Sequence, residues 1–114
     1  METREQAIQI AEKLSERKAK DVTVINIAEK SSFADFFVNA TAGSERQLGA
    51  LLDEAEDNAA ELGLPEKGVE GKPGTGWMLV DLGDIIVNIF TNETREKYAL
   101  DKIWSDCETT TVGE

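Results

Sequence analysis

The chain contains no histidine, one cysteine and two prolines, and its 12 Lys and Arg are outnumbered by 23 Asp and Glu. Without histidine the commonest general base is missing, and with it the Ser-His-Asp and Cys-His nucleophile arrangements and most zinc sites. Carboxylate or Mg²⁺ chemistry is the only conventional catalysis left open, and no cofactor or metal is expected. Cys107 can form neither an internal disulfide nor a metal cluster by itself and reads as a bystander thiol. The formal charge of −11 leaves few cations to neutralise phosphates, which argues against independent DNA or RNA binding. A basic protein partner suits that sign better, because opposite potentials steer encounter. No apolar run approaches the roughly 18 residues that span a membrane. The opening "METREQAIQI" lacks the features of a signal or transit peptide. The expectation is a cytoplasmic protein without a membrane partner.

What is present organises 114 residues, 40% of them apolar, into one domain over residues 1–105 with a frayed tail over 106–114. Ala7, Ile10, Ala11 and Leu14 recur at helical spacing and predict a helix over 4–18, capped by Thr3. "DVTVINIAE" is a strand apolar on both faces, Val22 and Val24 on one and Ile25 and Ile27 on the other, as a central strand between helices would be. "KSSFAD" makes a turn or a single helical turn, "FFVNAT" a second strand, and "AGS" ends it.

Ser44 with Gln47 three residues on is a capping-box pattern opening a helix to about Leu62. Leu48, Leu51, Leu52, Ala55, Ala59 and Leu62 form its buried stripe, and Gly63 stops it. Its outer face is acidic, which suits a solvated face better than a binding surface. The glycine-rich "LPEKGVEGKPGTG" is a loop, with room for a short strand at Val69. Two β-branched runs around the turn "DLGD" predict an antiparallel hairpin of 77–81 with 85–90. A last helix follows in "TNETREKYALDKIWSD", capped by Thr91 or Asn92, with Tyr98, Leu100, Ile103 and Trp104 as apolar positions. This order implies an α/β domain: a single small mixed β-sheet of about four or five strands flanked by helices.

An enzymatic reading joins the Gly43-Ser44 turn, where a phosphate could sit at a helix N-terminus, to Asp81 and Asp84 as Mg²⁺ ligands. Nucleotidyl transfer wants two acids alternating on one strand face, D-x-D, soon after the GS turn. The helix after Ser44 offers none at that spacing, and Asp81 and Asp84 straddle a turn. Acids beside a turn glycine are more often turn formers. Trp77 opens the hairpin after a glycine-rich loop and suits either a core position or a binding hot spot.

Four blocks, "SSFADFFVNATAGSERQ", "GVEG", "WMLVDLGDIIVNIF" and "TREKYALDKIW", together resemble the ribosomal silencing factor family, also called Iojap-related, in order and over about residues 21–105. The most specific part is W-x-L-x-D-x-G-D, then a strand and R-x-x-Y-x-L-x-x-x-W. Two positions depart from the family's pattern, Asn88 and Gln47, each standing where His is expected. The resemblance implies a non-enzymatic domain with a nucleotidyltransferase-like topology lacking the catalytic carboxylates. It implies docking on the large ribosomal subunit through ribosomal protein L14 (uL14), obstruction of an intersubunit bridge and of subunit joining, and so translational repression. A role in large-subunit assembly is the alternative, a Mg²⁺-dependent nucleotidyltransferase-like enzyme the more distant one, and a homodimer stays open. By the same resemblance Trp77, Asp81, Leu82 and Asp84 are expected to contact the ribosomal partner, with Arg95 and Tyr98 as second choices.

Overall fold

Helical spacing of apolar residues builds α1 (Thr3–Glu16). The computed structural model describes residues 2–71, 74–98 and 100–113. Met1, Lys72, Pro73, Ala99 and Glu114, which the expected domain, loop, last helix and tail include, lie outside them, as do the side chains of Leu100 and Asp101. In α1 the side chains of Ala7, Ile10, Ala11 and Leu14 are fully buried, and the Ile and Leu each stabilise by about 1.5–3 kcal/mol relative to exposure. Thr3 is not the cap: Glu2 holds that position without a side-chain hydrogen bond, and Thr3 is already helical. Lys18, at φ 72°, ends the helix, and the Ala19 N–H closes back on the Leu14 carbonyl at 3.2 Å.

The strands β1 (Lys20–Asn26) and β2 (Phe36–Ala42) pair antiparallel, and α2 (Glu45–Glu61) follows. The expected Ser44 cap is present, but the Gln47 side chain reaches back to Gly43, one residue before the cap, rather than to the Ser44 N–H of a capping box. Gln47 N–H donates to Ser44 Oγ (3.1 Å), and the Gln47 Oε1 accepts from the Gly43 N–H (2.5 Å). Gly63, at φ 76°, stops the helix. Then come β3 (Gly68–Glu70), β4 (Trp77–Asp81) and β5 (Ile85–Thr91), the last two forming the expected hairpin. β5 returns to lie parallel to β2, which makes the sheet mixed.

The last helix is described on both sides of Ala99, as α3 (Asn92–Tyr98) and α4 (Leu100–Ile103). One difference from the expected order concerns the C-terminal part. The segment expected to fray contains a sixth strand, β6 (Thr109–Val112), paired antiparallel with β1. β-branched Thr and Val suit a strand, but the pairing is with residues some 90 positions earlier, which local periodicity does not register. Exposed ion pairs of Arg4 with Glu108 and Lys30 with Asp106 flank the strand, and each holds its acid below the ordinary carboxylate range.

The sheet order is β3-β4-β5-β2-β1-β6. One face packs under α1 and α2 in the main core, through Val24, Val38, Val80, Val87, Leu51 and Leu14 among others. The other face carries a smaller cluster of Ile25, Ile27, Ala34 and Ile86, against which Phe37, Leu79 and Trp104 pack. α3 and α4 cover this second face only in part, and the uncovered part is where the candidate site lies.

Candidate docking face

Side chains alternate across a strand, so Trp77, Leu79 and Asp81 of β4 share the second face, while Met78 and Val80 enter the main core. Trp77 is half-buried. Its ring lies 5.3 Å from that of Phe90 and 5.6 Å from that of Tyr98, and its indole N–H donates to Asn88 Oδ1 at 3.2 Å. One side of the Trp77 ring packs inward against Phe90 and the other lines the surface. Tyr98 is 50% exposed, and the Lys97 ammonium sits 5.6 Å from its ring centre.

Gly76 makes this arrangement possible. Its φ is 80°, and a Cβ there would collide with the hydroxyls of Thr94 and Thr91 at the start of α3. Those hydroxyls bond to each other at 3.0 Å. Only glycine lets β4 begin so close beneath the helix.

The hairpin acids have separate tasks. Asp81 Oδ1 accepts from the Gly83 N–H at 2.9 Å, an Asx-turn that matches the expected turn-forming role. Gly83 takes φ 91°. The Asp84 carbonyl accepts from the N–H groups of Asp35 (2.8 Å) and Phe36 (3.1 Å), anchoring the turn to the start of β2 and leaving the carboxylate exposed. Among the described residues no three His, Cys, Asp or Glu side chains are grouped so as to hold a metal ion.

Two of the six residues expected to touch a partner are placed otherwise. Leu82 is 1% exposed and belongs to the main core, so its side chain has no surface to offer. Arg95 is 8% exposed. Its guanidinium donates to the Asp21 carbonyl (2.7 Å) and to Thr41 Oγ1 (2.9 Å), and lies over the Phe90 ring at 5.9 Å. Asp21 has φ 49° at the irregularity in the β1–β2 register, which turns its carbonyl toward α3. Arg95 pins the helix to the sheet rather than reaching outward.

The structure adds residues that the motif reading passed over. Phe33 and Ile103 are 61% and 60% exposed, and Phe33 continues an aromatic series through Phe37 (6.2 Å) to Trp104 (5.2 Å, edge-on). Between this series and Trp77 lies a groove of about 270 Å³. A second, of about 580 Å³, lies on the other side of Trp77 and Leu79 and is bordered by Glu70 and Tyr98. Strand parity was the available signal, since Phe37 and Asn39 alternate on β2 as Trp77 and Leu79 do on β4. Partly exposed apolar faces of this kind are candidates for interaction surfaces.

The acidic outer face of α2 lies elsewhere. There the Glu56 carboxyl hydrogen-bonds with Glu66, and this bond, partial burial and the charges of Glu66, Asp53 and Asp57 push its pKa up to about 7. No helix among the described residues is long and apolar enough to cross a membrane.

The profile of the family described as "Ribosomal silencing factor during starvation" matches residues 1–114. A "Ribosomal silencing factor RsfS" of Halalkalibacterium halodurans is 36% identical over 96 residues, covering 84% of this chain and 82% of the relative. The mouse "Mitochondrial assembly of ribosomal large subunit protein 1" is 30% identical over 95 residues, covering 81% of this chain and 42% of that longer protein. A crystal structure of a Chromobacterium violaceum protein superposes with a TM-score of 0.87 at 27% identity, covering 100% of this chain and 95% of that one. These names are of ribosome-associated factors rather than of known enzymes. This α/β chain belongs to the ribosomal silencing factor (RsfS) family.

Proposed function

We propose that this chain, acting as a single domain, binds the large ribosomal subunit through ribosomal protein L14 (uL14), obstructs subunit joining and so represses translation. The observation that carries the reading is the second sheet face: the half-exposed Trp77–Tyr98 pair shares it with Asp81, and exposed Asp84 lies just past the turn. An aromatic pair supplies the buried anchor that interfaces favour. The acids suit a basic ribosomal protein, as does the formal charge of −11. Trp77, Asp81, Asp84 and Tyr98 are the contact residues in this reading. Leu82 and Arg95 support them from inside.

Occlusion needs no chemistry, only a complex that outlasts subunit encounter. The name of the Halalkalibacterium halodurans relative supports silencing, and that of the mouse relative supports a second reading, participation in large-subunit assembly. Both readings use the same face. The test is co-sedimentation of the purified chain with purified large subunits, beside a pull-down with isolated ribosomal protein L14. The expected result is binding in both. A chain that stays at the top of the gradient and ignores the isolated protein would overturn the reading.

A further inference from the structure

A lane of polar side chains crosses the second face of the sheet. The strand registers set Thr111, Thr23, Asn39 and Asn88 side by side on four adjacent strands, with apolar Leu79 next to Asn88 on the fifth. On one side runs an apolar row of Ile25, Phe37 and Ile86, and on the other a row of Thr41, Phe90 and Trp77. Trp104 covers the first row and α3 the second. Asn39 and Asn88, between the two covers, lie at the 270 Å³ groove.

Burying amides at a groove floor is costly unless they are hydrogen-bonded, and the bonds here have a direction. An indole N–H can only donate, so Trp77 fixes Asn88 Oδ1 as its acceptor. Asn88 Nδ2 must then donate, and it does so to Asn39 Oδ1 at 3.0 Å. The chain of donors ends at Asn39 Nδ2. This side chain is 2% exposed and lines the groove, and only its Oδ1 is engaged with a described residue. Its Nδ2 is not among the sealed-off atoms without a partner, Thr23 Oγ1 and Asn58 Oδ1, so it faces the groove as a donor open to solvent. The lane therefore delivers an unused donor to the floor of an apolar groove.

We propose that Asn39 is the polar anchor of the docking face: a basic segment of the partner seats one apolar side chain in the groove and sets a main-chain carbonyl against Asn39 Nδ2. The inference rests on the docking reading above and specifies the chemistry of what docks. The occupant is a protein segment on three grounds. The groove is smaller than the roughly 300–1,000 Å³ of small-molecule sites and suits a single side chain. The free group is a donor, and the carbonyl is the acceptor that every peptide carries. The neighbouring positions Glu70 and Asp81 carry acids and the whole chain is acidic, which selects a basic segment.

Asn39→Asp tests this directly, since it retains an oxygen for Asn88 Nδ2 and replaces the donor with an acceptor. Ile103→Glu tests the groove wall at a 60% exposed position, where folding is spared. Each is expected to weaken binding to purified large subunits by about tenfold or more, with the melting temperature of Ile103→Glu unchanged. In the unmodified chain, the Asn39 side-chain amide resonances should shift when isolated ribosomal protein L14 is added. Should the unmodified chain bind while Ile103→Glu binds equally well and the Asn39 amide does not move, the groove is empty in the complex; the inference falls and the docking reading stands. No binding by the unmodified chain removes both. A dimer of the free chain that Ile103→Glu dissolves would assign the groove to a second copy and overturn the inference.

Discussion

The Trp77 indole N–H donates to Asn88 Oδ1 at 3.2 Å, and this bond couples the most exposed strand entry of the hairpin to the buried amides of the central strands. By the resemblance His is expected at position 88; a neutral imidazole could also accept from the indole, so Asn88 makes the same contact without a titratable group.

That coupling separates the two roles of Trp77. Trp77→Phe keeps the ring and deletes the donor, leaving Asn88 Oδ1 unpaired at a cost of about 1 kcal/mol. Trp77→Ala should cost about 2 kcal/mol of folding, below the ~3–5 kcal/mol of a fully buried Trp. Tyr98→Ala, at a 50% exposed position, should leave the melt within about 0.5 kcal/mol and yet cost about 2 kcal/mol of large-subunit binding as a hot spot. Thermal melts paired with co-sedimentation decide this, and full binding by Tyr98→Ala would remove α3 from the interface.

Arg95→Met should behave in the opposite way. It strips the Asp21 carbonyl and the buried Thr41 Oγ1 of a charged donor, at about 2–3 kcal/mol. Urea denaturation should show the lower midpoint. An unchanged midpoint would mean that α3 is held by its aromatic contacts alone.

Asp84→Lys isolates charge from fold. Main-chain bonds anchor its turn, so the substitution should change stability by no more than about 0.5 kcal/mol. Attraction to a basic partner becomes repulsion, and large-subunit binding should weaken, most at low salt. Normal binding by the folded variant would limit the hairpin acids to turn formation.

The Glu56–Glu66 contact predicts a pH dependence. The folded carboxyl keeps its proton to about pH 7, against an ordinary value of 4.5, so the folded state binds more protons between the two. Its contribution to stability is complete below the lower value and declines as pH rises through the upper one. Glu56→Gln should therefore raise the melting temperature at pH 8 and give little difference at pH 4.5. Equal gains at both pH values would point to a packing effect instead.

Much of this fold was legible because it is local. Ser44 with Gln47, the stripe from Leu48 to Ala59, and the Gly83 turn each declare themselves within a few residues. β6 was not legible, since "TTTV" becomes a strand only by pairing with β1. Leu82 and Arg95 escaped for a related reason: motif membership marks them, but neighbours distant in sequence decide that one fills the core and the other ties α3 to the sheet. The candidate face was half legible, through the parity of β4. Its other half, Phe33, Phe37 and Ile103, needed β2 and β4 to be brought onto one sheet.

Occlusion is measured most directly by light scattering of purified small and large subunits mixed with and without the chain. The chain should slow joining and lower its extent in proportion to large-subunit occupancy, and Tyr98→Ala and Asp84→Lys should relieve the effect as they weaken binding. Joining at an unaltered rate with large subunits saturated by the chain would contradict occlusion.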